Sequence, residues 1–141
     1  MRRELIAPCG LDCFNCEVQE SNIALPMRAF LSQQLRRAQD EVACPGCRAA
    51  GGCRPHYSSC ATLDCVAEHS VEFCFECADF PCPKLQPAAD GAAKYPHNLK
   101  LYNLCRMKAI GVERWADSEA LEARRRYFKG RFVVGLGPTL G

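Results

Sequence analysis

Cysteine governs what this chain can fold into. Twelve of its 141 residues are cysteine, and eleven of these lie between Cys9 and Cys82. They run as Cys9-x3-Cys13-x2-Cys16, then Cys44-x2-Cys47-x5-Cys53-x6-Cys60-x4-Cys65, then Cys74-x2-Cys77-x4-Cys82, with Cys105 alone. Three of these spacings are CxxC pairs. Two thiolates separated by two residues can turn onto one ion, and a tetrahedral structural zinc site is usually two such pairs brought together. The same pairs are too close in sequence to cross-link distant loops as disulfides. No apolar run reaches the roughly 18 residues of a membrane span, and the N-terminal segment lacks the unbroken apolar stretch of a secretory leader. The expectation is therefore a whole chain made and kept in the cytoplasm, with no membrane association. Thiols stay reduced there, and clustered cysteines are metal ligands more often than disulfides.

The eleven clustered cysteines, Cys9, Cys13, Cys16, Cys44, Cys47, Cys53, Cys60, Cys65, Cys74, Cys77 and Cys82, are the expected metal ligands. They fill two four-cysteine sites with three to spare, or three sites if a histidine or Cys105 supplies a twelfth ligand. His56 and His69 lie within the cluster region, although a surface or hydrogen-bonded role is the more ordinary one for each. His97 precedes a helix and reads as a capping or surface residue. Cys105 is placed with Leu101 and Leu104 on one helical face and is expected as a small core residue. The cofactor expected is zinc, two or three ions, and an iron-sulfur cluster is the alternative, since both are held by four thiolates. The Cys82-Pro83 step favours the alternative, whereas the ferredoxin run C-x2-C-x2-C-x3-C-P is missing. Cys9-x3-Cys13-x2-Cys16 has the spacing of radical S-adenosylmethionine enzymes. Asn15 stands where those enzymes carry an aromatic residue, and a chain of 141 residues is too short for their barrel. Cys44-Pro45-Gly46-Cys47 lacks the strand and helix that frame a thioredoxin pair.

Sign of charge divides the chain more than its net value of +2. Residues 1–43 carry five basic and six acidic side chains, residues 44–93 three and six, and residues 94–141 ten and four. Metal-bound thiolates would make the middle more negative still, so a nucleic acid is not the expected partner. Arg124, Arg125 and Arg126, with Tyr127 and Phe128 beside them, read as a solvated helix face that could meet the acidic middle. No serine-histidine-acid triad or framed carboxylate pair suggests hydrolysis. Asp12, Asp64, Glu76 and Asp79 read as turn caps rather than acids and bases. Gly135-Leu136-Gly137-Pro138 is an incomplete phosphate-loop pattern.

Helices are expected at about 24–40, with Pro26 in the first turn, at 98–110 closed by Gly111, and at 118–129 closed by Gly130. A short helix fits 63–69, and Arg131–Val134 reads as a strand or extended tail. The fold class expected is a small metal-stabilised α-rich domain with a minor β component, its cysteine-rich middle irregular and helices on either side. Residues 1–85 form the cysteine-rich metal-binding region, and residues 86–141 a helical C-terminal extension packing on the same domain.

CGLDCFNC, CPGC, the spaced Cys60 and Cys65, and VEFCFECADFPCPKL together resemble the small cysteine-rich prokaryotic proteins grouped as domain of unknown function 3795. The resemblance spans about residues 8–85, and the NLK and IGVERW segments are similar to a common extension in that family. It implies Cys9, Cys13, Cys16, Cys44, Cys47, Cys60, Cys65, Cys74, Cys77 and Cys82 as the motif cysteines, with Cys53 departing from the pattern. It implies metal binding with no assigned activity. The function expected is a non-catalytic binding or scaffold module presenting its helices to a protein partner, the alternative being an iron-sulfur redox or electron-transfer protein.

Overall fold

The computed structural model describes residues 2–55 and 59–141. Among them are six α-helices and one two-stranded sheet, α1 (Leu25–Leu35), α2 (Cys47–Ala50), α3 (Ala61–Glu68), α4 (His97–Ile110), α5 (Val112–Ser118), α6 (Ala120–Lys129), β1 (Arg131–Val133) and β2 (Gly137–Thr139). The architecture is α-rich with a minor β component, and its cysteine-rich middle is built from short helices, single 3-10 turns and loops. The chain divides into two compact units, one of Met1–Pro8 with Asp12–Ser70, the other of Cys9–Leu11 with Val71–Gly141.

In the first unit, backbone bridges substitute for a sheet. Ile6 pairs with Asp12, and Gln19 pairs in parallel with Cys44. The Cys44 N–H donates to Val18 O at 2.8 Å and the Glu20 N–H to Cys44 O at 2.9 Å. Around these bridges Ile6, Ala7, Val42, Ala43 and Val66 are buried. The helix expected to reach residue 40 stops at Leu35, because Arg36 takes a left-handed conformation at φ 51°. Residues 36–40, RRAQD, supply no apolar side chain large enough to extend its packing stripe. Pro26 does sit in the first turn of α1, where its missing N–H has no helical acceptor to lose.

The second unit is built on α4. Its buried face is Leu99, Asn103, Leu104 and Met107, and it packs on α5 and α6 through Val112, Trp115, Ala116 and Ala120. Gly111, at φ 92°, ends α4 and opens α5, a conformation that an L side chain resists. The segment 112–118 thereby becomes a separate short helix, which periodicity over so few residues did not disclose. The helix expected from 118 begins at Ala120. Arg106 clamps the Glu119 carboxylate through Nε at 2.7 Å and Nη2 at 2.6 Å. Hydrogen bonds from Arg106 hold the Glu119 carboxyl below the usual carboxylate range, against the opposing effect of desolvation. Beyond α6, the expected strand pairs in a hairpin, with Arg131 opposite Thr139, Phe132 opposite Pro138 and Val133 opposite Gly137.

Cys105 is exposed, not in the core. At 100° per residue, Leu99, Asn103, Leu104 and Met107 share one arc of α4, and Cys105, one residue beyond Leu104, is turned 100° further round and away from it.

Candidate metal centre

Each cysteine pair owes its shape to a local turn. Cys13–Asn15 forms a 3-10 turn whose Cys16 N–H donates to Cys13 O at 3.0 Å, leaving Cys16 extended at φ −72°, ψ 133°. Asp12 precedes the turn, and its buried carboxylate accepts from the Asn15 side chain Nδ2 at 2.9 Å without making a capping bond to the turn's backbone. In the second unit Cys74–Glu76 forms the same turn, the Cys77 N–H donating to Cys74 O at 3.2 Å and Cys77 extended at φ −70°, ψ 142°. Glu76 reaches back to accept from the Phe73 N–H at 2.9 Å and the Glu72 N–H at 2.8 Å, the return half of a capping box. Cys44-Pro45-Gly46-Cys47 turns differently. Gly46 takes φ 106°, and Cys47 becomes the first residue of α2.

The bridge between Gln19 and Cys44 carries the second pair to the first. Arg48 secures α2 by donating from Nε to Ile6 O at 2.8 Å. Gly46 is pressed so close to the N-terminal turn that a Cβ there would meet Leu5 Cδ2 at 2.9 Å. As a result Cys13 Sγ and Cys47 Sγ, 34 residues apart in sequence, stand 3.6 Å from each other. In a zinc tetrathiolate with Zn–S of about 2.3 Å, tetrahedral geometry places sulfurs about 3.8 Å apart. The two thiols already have that spacing. Cys13 and Cys44 are buried, and Cys16 and Cys47 are half-buried.

Cys53 lies in a loop, Cys60 caps α3 and Cys65 is within that helix, each half-buried. His69 Nδ1 bonds to Cys65 O at 2.8 Å, with Cys65 Sγ 3.8 Å from the same nitrogen. His97 opens α4 and bonds through Nε2 to Gln86 O at 2.8 Å. His56 lies outside the described residues. Cys9 is buried and Cys74, Cys77 and Cys82 are half-buried, all four within the second unit. All twelve cysteines are thiols. A cleft of about 230 Å³ beside α6 is lined by Tyr102, Arg106, Glu119, Glu122 and Arg126, whose charges are engaged in the Arg106–Glu119 and Arg126–Glu122 pairs.

Sequence reading identified the CxxC pairs but not that two of them are one device used twice. Cys13-Phe14-Asn15-Cys16 and Cys74-Phe75-Glu76-Cys77 share a Cys-Phe-x-Cys pattern that was available to find.

These features define a cysteine-rich protein whose thiols are presented by tight backbone turns, and none of its described helices is long and apolar enough to cross a membrane. Residues 5–87, more than half of the 141, match the family described as Protein of unknown function (DUF3795), and the chain belongs to it. No curated protein and no solved structure matches the chain.

Proposed function

We propose that the protein is a zinc-binding module in which Cys13, Cys16, Cys44 and Cys47 form a closed four-thiolate site, with a non-catalytic role in presenting its surface to a protein partner. The observation that carries this reading is the 3.6 Å separation of Cys13 Sγ and Cys47 Sγ, close to the edge of a zinc-sulfur tetrahedron. Two further features support it. Both sulfurs belong to CxxC pairs, and Cys44 of the second pair is held by the parallel bridge to Gln19. The unit's short elements enclose few large apolar side chains. Structural zinc, worth on the order of 10 kcal/mol or more per site, would supply the stability that such a core lacks. A closed tetrahedron leaves no open position for substrate, so its contribution is structural.

Chelation under reducing conditions tests this reading. Removing the metal should unfold the Cys13–Cys47 unit, seen as lost circular dichroism and a lower melting temperature, and adding zinc back should restore both. Cys13→Ser and Cys47→Ser should each lose zinc to chelators much faster than the parent protein. Unchanged dichroism and melting after chelation would overturn the proposal.

A further inference from the structure

The C-terminal hairpin leaves one of its two edges open, and the proline in β2 decides which. Pro138 has no N–H, so its pair with Phe132 exchanges no hydrogen bonds, and the ladder bonds fall at the flanking pairs, Arg131 with Thr139 and Val133 with Gly137. Phe132 therefore turns its own N–H and C=O outward, to the edge of β1 that faces away from β2. The outer edge of β2 has Pro138 at the corresponding position, which offers no donor, and β2 packs on α6. Proline on an edge guards against strand addition; β1 has no proline, and all three of its residues are exposed.

The side chains around that edge are apolar and cationic. Phe132, Val134 and Leu136 are 77%, 86% and 74% exposed, a contiguous run of apolar surface at the strand and its turn. Residues 123–141 carry five basic side chains and no acidic one. Arg126 is paired with Glu122, and Arg124 lies over the Phe128 ring at 5.3 Å. Arg125, Lys129 and Arg131 make no ion pair among the described residues. A partner for this edge therefore has to supply a backbone that pairs with Phe132, apolar side chains, and negative charge. A second copy of the hairpin would bring cation against cation. A lipid surface meets the charge and the apolar side chains, but hydrocarbon leaves the Phe132 N–H and C=O unpaired. An extended acidic protein segment satisfies all three demands.

We infer that β1 is a docking edge for an extended segment of a partner protein in which apolar and acidic residues alternate, added as a third strand beside Phe132. The inference rests on the reading of the protein as a module that presents its surface to a protein partner, and goes beyond it by naming that surface and the partner's chemistry. Main-chain pairing with Phe132 supplies affinity. Alternation of side chains then sets the partner's apolar residues beside Phe132 on one face of the sheet and its carboxylates beside Arg131 on the other.

Fluorescence anisotropy of a labelled peptide alternating valine and glutamate, titrated with the full chain purified with zinc, tests the assignment, with bound zinc measured on the same sample. The peptide should bind, rising salt should weaken it, and a valine–lysine peptide should bind at least tenfold more weakly. Phe132→Pro removes the outward N–H without touching the ladder bonds and should cost at least tenfold in affinity, whereas Phe132→Thr keeps the N–H and the strand propensity and should cost less. Should the proline variant lose the hairpin, a copy of the peptide with its backbone N–H groups methylated gives the same reading on the parent, and it should not bind. Absence of peptide binding, or equal affinity for the methylated copy, overturns the docking edge; zinc retained in that sample leaves the reading of the Cys13 site standing, and zinc absent overturns that reading separately. A parent that sediments with phosphatidylglycerol–phosphatidylcholine vesicles while binding no peptide, or that forms a dimer which Phe132→Pro dissolves, overturns the inference in favour of a lipid surface or a second copy.

Discussion

Replacing Gly10 with alanine tests how α4 holds the cysteine segment. Gly10 has φ +90°, and its added Cβ would lie 2.9 Å from Lys100 O, a backbone atom that cannot swing aside, and 2.9 Å from Leu104 Cγ. Gly111, in the same unit at φ +92°, has nothing within 4 Å of the corresponding position. The two substitutions therefore share the conformational cost of a positive φ, about 1–2 kcal/mol. Only Gly10→Ala adds overpacking against a well-filled helix face, about 1–3 kcal/mol more. Gly111→Ala should cost about 1–2 kcal/mol and Gly10→Ala about 2–5. Trp115, the single tryptophan, is fully buried in this unit, so its fluorescence during urea unfolding in zinc-saturated buffer reads both variants directly. The difference should appear in the midpoint, with the slope unchanged. Equal shifts for the two variants would show that Gly10 is not pressed against α4.

Glu119 provides a pH signature. Its folded carboxyl is held below its ordinary value by hydrogen bonds from Arg106, so the pair's stabilisation is full above the usual carboxylate range and is lost as pH falls through the lowered value. The stability gap between the parent and Glu119→Gln should therefore be largest near neutrality and close in acid; a gap that widened in acid would contradict the assignment. Cys105→Ala, on the exposed side of α4, should change stability by no more than about 0.5 kcal/mol and leave the zinc content untouched. Metal loss in that variant would mean that Cys105 is a ligand.

Where one helix face or one turn decides the structure, the sequence is readable. Gly111 and the spacing of Leu99, Leu104 and Met107 mark α4 and its end. Pro26 marks a first turn, and each CxxC marks a knuckle. The reading fails where the deciding contact is remote or where one residue shifts a face. Cys105 is expected on one helical face with Leu101 and Leu104, but it lies 100° of helix rotation beyond Leu104 and is exposed. The hydrogen bond from Asn103 to Gly10 spans 93 residues, which no local pattern encodes. Likewise the 3.6 Å approach of Cys13 to Cys47 depends on a two-residue bridge at Gln19 and Cys44, too short to leave a strand signal. The hairpin's second strand, Gly137–Thr139, was hidden because glycine and proline are poor strand formers and point to a turn.

The central claim is that these turns hold zinc as a structural ion. Elemental and acid-labile sulfide analysis of the full chain, purified anaerobically without added metal, addresses it most directly. The account predicts colourless protein containing zinc, with iron and sulfide at background. Brown protein carrying iron and sulfide in stoichiometric amounts would contradict it and identify the thiols as cluster ligands.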